Sequence, residues 1–484
     1  MLEGQEISEV NFSEILKASY SQRIDSTFFS KEFLNSSFAQ EVITLNELCV
    51  VRSGTTPTDR DDELQEGVVL LKTDSIRNGI LNYFSAKDFF FIDIDSSLKM
   101  KATALQCDDV LMNIVGATTD VIGRCSVLAT DFPPANITQA MALLRIRDDF
   151  KNIINPSYLF AYLSSRQGHK QVRRIARPTG QFNMNLQEVG SFLIPLLSLK
   201  FQEPVDKLIK NSEILNKDSV AKFAQAEQIL LEEVGLADFT PSKQNTNIKT
   251  FAQSFGASGR LDAEYYQPKY DAYIQQIKNY KHGFKSIAEV LTIPIKNGTT
   301  PSSVTPGYNA CEHYFVRVEA FQENLTIDET LFNSLDKEDY QKYKANLTIK
   351  NDILVSMTGT IGAVVIYSPE KPALINQNIM RLRCNESIIN TESLSIYLKT
   401  IGKVLLERVQ TGNVQPYVNT SNFEILIVPL IDLKTQTHIS ELVQQSFTLK
   451  AQSEHLLSVA KRAVEMAIEQ DEAAAMHFIE NSTN

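Results

Sequence analysis

Gly54-Thr55-Thr56-Pro57 returns as Gly298-Thr299-Thr300-Pro301, and the landmarks after each copy come in the same order. Asp109-Val110-Leu111, with Gly116 and Gly123, is answered by Asp352-Ile353-Leu354, with Gly359 and Gly362. Ala135-Asn136-Ile137-Thr138-Gln139 is answered by Ala373-Leu374-Ile375-Asn376-Gln377, and Thr179-Gly180 by Thr411-Gly412. Phe192-Leu193-Ile194-Pro195, followed by Gln202, corresponds to Leu426-Ile427-Val428-Pro429, followed by Gln436. Even the lead-in recurs, as Arg23-Ile24-Asp25 before Phe28-Phe29 and as Arg260-Leu261-Asp262 before Tyr265-Tyr266. The offset between copies shrinks along the chain, so small loop changes separate two versions of one frame. Two divergent copies in one chain predict two related sites.

At 484 residues the chain has room for two to four domains with sizeable cores. Its hydrophobic fraction of 43% and charged fraction of 22% are ordinary for a globular protein. No apolar run reaches the roughly 18–20 residues of a membrane span; the longest candidate, Phe423 to Leu433, is interrupted by Glu424, Pro429 and Asp432. Met1-Leu2-Glu3-Gly4-Gln5-Glu6 is acidic and has no secretory pattern, so a cytoplasmic protein is expected. Five scattered cysteines without a Cys-x-x-Cys pair agree with a reducing compartment and argue against a disulfide framework or zinc site. The six histidines show no metal-ligand spacing, so no metal or cofactor is expected. A net charge of −11 lowers non-specific DNA binding without excluding specific contacts. Charge is segregated: acids crowd the stretch from Glu188 to Glu233, whereas Arg166, Lys170, Arg173, Arg174 and Arg177 run without an acid between them.

Each copy reads as irregular strands followed by helices, an α+β pattern. In the first, Gly67–Leu71, Phe89–Ile94, Val110–Ile114 and Met141–Ile146 alternate with Gly, Asp and Asn breakers. A helix is expected from Tyr158 to Arg177, with a counterpart around Leu394 to Leu405. A long helix then starts near Phe201 and stops at Gly235, its stripe running through Val205, Leu208, Ile209, Leu215, Phe223, Ala226 and Leu230. The second runs from about Thr435 to Gln470. The division that follows is a first module at 1–196, its helix at 197–236, a linker at 237–250, a second module at 251–430, its helix at 431–470 and a flexible tail at 471–484. Two such helices are expected to pack on each other. Each would span roughly 50 Å at 1.5 Å per residue. Paired antiparallel, they would resemble the symmetry of a dimeric DNA reader, whose half-sites lie about 34–36 Å or a multiple apart.

The ordered set of Gly-Thr-Thr-Pro, Asp-hydrophobic-Leu with glycines, Asn/Gln strand, Thr-Gly loop, hydrophobic-Pro strand and Gln-headed helix, occurring twice from Arg23 to Gln470, resembles the specificity subunit of type I restriction–modification systems. The resemblance implies two tandem target-recognition domains, each reading half of a bipartite DNA site, with an antiparallel coiled-coil spacer that docks methyltransferase subunits. Adenine N6 methylation, translocation and cleavage, with their AdoMet, ATP and Mg, would belong to partner subunits. The chain itself would recognise and scaffold without catalysis. The family shows two prolines before the Gln-headed helix where Pro195-Leu196 and Pro429-Leu430 carry one, and the paired Arg-Ile/Leu-Asp lead-in suggests a subgroup with a fused nuclease–methylase partner.

Candidate DNA contacts fall into three sets. Thr55, Thr56, Thr299 and Thr300 offer hydroxyls and backbone amides, although a tight turn entering a strand would use the same residues. Lys72 and Arg317 end apolar strands, as a guanine or phosphate contact would, or as an ion pair with Asp74 and Glu319. Thr179, Gln181 and Asn183, beside Arg173, Arg174 and Arg177, match Thr411, Asn413 and Gln415 in amide-rich loops; Asn and Gln suit the adenine edge that a methylation target must contain. Asn136, Gln139, Asn376 and Gln377 read better as buried amides that satisfy neighbouring groups. The two Arg-x-Asp lead-ins read as clamps. Asn155-Pro156-Ser157-Tyr158 resembles the Asn-Pro-Pro-Tyr motif of N6-adenine methyltransferases, yet Ser157 replaces the second proline and no glycine-rich cofactor loop precedes it. It reads as a helix start. Two alternatives stay open: a free-standing AdoMet-dependent methyltransferase, which AdoMet binding would reveal, and a non-DNA two-module scaffold, which would bind no DNA probe.

Overall fold

The computed structural model describes residues 9–13, 15, 23–34, 38–58, 61, 63–241, 244, 246–305, 307, 313–412 and 416–483, without the side chains of Leu34, Pro178 and Thr179. The chain divides into two compact units, Met1–Leu215 with Ala451–Asn484, and Asn216–Lys450.

In the first unit, a five-stranded sheet runs in the order Cys49–Ser53, Met141–Ile146, Val110–Asn113, Cys125–Leu128, Ile80–Leu81. Its neighbour is three-stranded, Phe90–Ile92, Val68–Leu71, Ala135–Ile137, and its last pair is parallel. Successive side chains of a strand face opposite ways. Leu111 and Leu143 therefore join Val69, Leu71 and Ile137 in one core, while Val110, Met112, Ala142 and Leu144 join Tyr158, Leu159 and Phe160 of helix Pro156–Leu163 in another. The second unit repeats this plan. Lys296–Asn297, Ile379–Leu382, Ile353–Ser356 and Val364–Ile366 form one sheet, and Asn333–Ser334, Tyr314–Val316 and Ala373–Ile375 the other, again with a parallel last pair.

The duplicated residues form duplicated bonds. The Asp109 carboxylate, 1% exposed, receives two hydrogen bonds from Arg145 at 2.7 Å, and Asp352 receives two from Arg383 at 2.7 and 2.9 Å. Those carboxylates hold both guanidinium groups above their ordinary range. Tyr162 donates to the Leu193 carbonyl, as Tyr397 does to that of Ile427. Asn155 caps helix Pro156–Leu163 through Ser157 N at 2.8 Å, and Asn390 caps Thr391–Tyr397 through Ser393 N at 2.8 Å, so the methyltransferase-like tetrapeptide is a helix start. Both lead-ins are clamps. Arg23 binds Asp25 and the carbonyls of Arg174 and Ile175; Arg260 binds Asp262 and the carbonyls of Val409 and Gln410.

The long helices are Leu199–Glu233 and Leu433–Glu469. Within the first unit, Val205, Leu208 and Ile209 share a core with Val459, Ala460, Ala463 and Val464, and Ser453 Oγ donates to the Ser212 carbonyl at 2.7 Å. Within the second, Phe223, Ala226 and Leu230 share a core with Ile439, Leu442 and Val443. There Ser219 and Ser446 each donate to the other's carbonyl, at 2.8 and 2.9 Å. Numbers rise along one helix as they fall along the other, with Asn216 against Lys450 and Glu233 against Thr435, so the pairing is antiparallel. Serines seven residues apart sit on one face, and their small side chains let hydroxyls reach the facing backbone.

Three expectations change. The helix expected from Tyr158 to Arg177 is two helices, Pro156–Leu163 and Arg166–Ile175, because Ser165 caps the second through Gly168 N. The stretch read as a loop after it is a hairpin, Arg177–Thr179 with Gln181–Asn183, turned by Gly180 at φ +83°. The tail expected to be flexible contains helix Glu472–Thr483, which buries Ala475 and Ile479. Glu472 accepts from Ser198 N at 2.7 Å, a tertiary contact that no local pattern announces.

Each long helix is locked at its head by a buried glutamine. Gln202 accepts from Asn155 N at 2.8 Å and donates to the carbonyls of Ile153 and Leu197; Gln436 accepts from Asn390 N at 2.8 Å and donates to those of Ile388 and Ile431. Gln202→Ala or Gln436→Ala leaves three backbone groups without this partner, one buried and two part-buried, and is expected to lower stability by about 1–3 kcal/mol in chemical denaturation. Gln444→Ala, on the exposed surface, is expected to change it by less than about 0.5 kcal/mol.

Candidate nucleic-acid interface

The Gly-Thr-Thr-Pro loop of the first unit lies against the end of strand Ala135–Ile137. Thr55 N donates to the Ile137 carbonyl at 3.2 Å, and Thr56 N to Gln139 Oε1 at 3.2 Å. A Cβ on Gly54 would lie 1.7 Å from the Ile137 oxygen, so only glycine permits this approach. Leu71 pairs with Ile137 in parallel, which brings Lys72, the next residue, to the same edge. Ala140 then accepts from Ile114 N and Val115 N, and Val115 pairs with Asn183 of the hairpin. Loop, cation and hairpin are thus linked by consecutive backbone contacts along one edge of the unit.

The second unit repeats the chain of contacts. Thr299 N donates to the Ile375 carbonyl at 2.9 Å, and Thr300 Oγ1 to Gln377 Oε1. Val316 pairs with Ile375, which puts Arg317 beside the loop. Met357 N donates to the Asn378 carbonyl, and Tyr417 bridges both Thr358 and Thr411. Asn413 and Gln415 lie outside the described residues, as does the side chain of Thr179.

The arginines do not all serve alike. Arg174 donates to the Phe28 carbonyl at 3.2 Å and lies 4.4 Å over the Phe28 ring; burial, and then Arg23, holds its guanidinium below the ordinary range. It fastens the lead-in. Arg177 is bound to Glu188, and Arg173 sits 3.7 Å from Glu32 with both half exposed. Arg173 and Arg177 line a groove of about 870 Å³ with Thr119 and Phe182. Gln181 and Asn183 are exposed on the hairpin. Asn136 is fully buried, accepting from Ser97 and donating to the Met100 carbonyl; Gln139 and Gln377, expected to be buried, are exposed and instead tie the threonine loops.

Sequence reasoning missed Phe90. Its ring stands under the Lys72 ammonium, with Nζ 3.0 Å from the ring centroid. Only strand pairing reveals the contact, because 18 residues separate the two. Among the described residues no group of His, Cys, Asp and Glu forms a metal site, and no helix is long and apolar enough to cross a membrane.

The two units thus repeat one arrangement, a polar threonine loop against one strand and a long cation at the end of the strand paired with it. The family described as the type I restriction modification DNA specificity domain matches residues 279–457 of this chain. The chain is 25% identical over 149 residues to the type I restriction enzyme EcoBI specificity subunit of Escherichia coli, a match spanning 31% of this chain and 29% of that relative. Among solved structures, the S subunit of a type I system from M. genitalium aligns with a TM-score of 0.41 at 12% identity, covering 89% of this chain and 96% of that one. The HsdS subunit from Thermoanaerobacter tengcongensis aligns with a TM-score of 0.27 at 13% identity, covering 90% and 99%.

Gly54→Ala is expected to part the loop from Ile137 and raise hydrogen exchange at the Thr55 amide by about tenfold or more, with helix Pro156–Leu163 unchanged. Unaltered protection at Thr55 would contradict the close approach described here.

Proposed function

We propose that this chain is the DNA-reading, non-catalytic subunit of a type I-like restriction–modification complex. Each unit reads one half of an asymmetric bipartite target in double-stranded DNA, and the helix pair sets the unread gap and docks two methyltransferase subunits. Nuclease and translocase functions, on separate chains or on a fused nuclease–methylase, join the same assembly in the cytoplasm. AdoMet, ATP and Mg act on those partners. The single observation that carries the reading is the repeated placing of a threonine loop and a long cation at the ends of paired strands in each unit, linked by backbone contacts to a hairpin or bridged loop. Phosphate contacts suit the backbone amides and hydroxyls of Thr55, Thr56, Thr299 and Thr300, which position the duplex without reading it. Base contacts suit Lys72, Arg317, Gln181, Asn183, Thr411, Asn413 and Gln415. Arg173, Arg177 and Thr179 flank the hairpin readers, whereas Arg174 stays with the lead-in.

Adenine-methylation sequencing of cells with and without this gene, the methyltransferase being present in both, tests the reading. The expected result is a split motif of two different short blocks methylated only with the gene; an identical methylome in both strains would sink it. Inserting one heptad into both long helices is expected to lengthen the gap in that motif and leave the blocks unchanged.

A further inference from the structure

The two units carry different chemistry at one matched pair of positions. In the first, Phe90 stands opposite Leu70, and Lys72 follows two residues on, so ring and ammonium share a face of the strand pair. In the second, Asn333 stands opposite Phe315, and Arg317 follows two residues on. Leu71 and Val316 pair in parallel with Ile137 and Ile375, whose carbonyls hold Thr55 and Thr299. Lys72 therefore matches Arg317, and Phe90 matches Asn333, each pair on the central and outer strands of the sheet whose third strand holds the threonine loop.

Resting on the function proposed above, we propose that this pair of positions decides which bases each unit reads. Lys72 with Phe90 takes a guanine beside a thymine; Arg317 with Asn333 takes a guanine beside an adenine. The chemistry follows from the major-groove code. An ammonium donates to guanine O6 and N7, a phenyl ring contacts the thymine methyl, a guanidinium grips guanine with two bonds, and a carboxamide grips adenine N6 and N7. Phe90 is 41% exposed, so its ring has surface left for a base edge. Its face also holds the Lys72 Nζ at 3.0 Å, which restrains a side chain that would otherwise lose much freedom on binding. Arg317 has Asn333 rather than a ring at the matching cross-strand position, and its guanidinium lies 5.8 Å over the Phe315 ring of its own strand.

The test uses the whole chain with its methyltransferase and duplexes carrying the methylated motif. Uracil in place of the thymine read by the first unit removes only the methyl group, and is expected to slow methylation several-fold in the unaltered protein. In the double variant Lys72→Arg with Phe90→Asn, preference at that position is expected to turn from thymine to adenine by about 5- to 100-fold, with guanine retained beside it. The proposal is overturned if uracil and thymine perform alike, or if a double variant with the parent's melting temperature keeps its parent's base preference within about twofold. Methylphosphonate at the flanking phosphates, if it abolishes the Lys72 effect while 7-deazaguanine does not, also overturns it by assigning Lys72 to the backbone. A parent complex that methylates no split motif fails earlier, at the underlying function.

Discussion

One buried amide at the head of each long helix holds module and helix together. Gln202 and Gln436 each bridge the residue that caps the module's helix, the turn before that cap and the turn before the long helix. A carboxamide offers donors and an acceptor on one short arm, and here three backbone groups use them. Replacing it with an apolar side chain would leave all three without this partner, one of them buried. The orientation of everything that the strands present therefore depends on a contact made once in each unit.

Around that lock the copies diverge where they are exposed and agree where they are buried. The Asp–Arg pairs, the tyrosine-to-carbonyl bonds, the asparagine caps and the lead-in clamps recur residue for residue. At the strand ends the same backbone contacts recur with different side chains: a lysine over a cross-strand ring in one unit, an arginine over a ring of its own strand in the other.

Much of this was legible in the sequence because the frame is local. Caps, strand runs and helix stripes are short-range patterns, and the long helices start and stop within two residues of the positions their stripes predict. The edge was legible only in part. The threonine loops and Lys72 stand out as sequence, but Phe90 reaches Lys72 through strand pairing, and Glu472 reaches Ser198 although 274 residues separate them. Arg174 misled for the opposite reason. It sits in a basic run, yet Phe28 and its carbonyl claim the guanidinium, and nothing in the run distinguishes it from Arg173.

The central claim, that each unit is a complete reader on a common frame, is tested most directly by building the chain with one reader twice. Strands Val42–Thr44 and Leu193–Pro195 pair, as do Phe284–Ser286 and Ile427–Pro429, so each reading segment begins and ends at one place. Replacing residues 42–196 with a second copy of 284–430 and sequencing the resulting methylome is expected to yield a motif built from the second block alone, present in both halves. A chimera that assembles with its methyltransferase yet still methylates two different blocks would contradict the account.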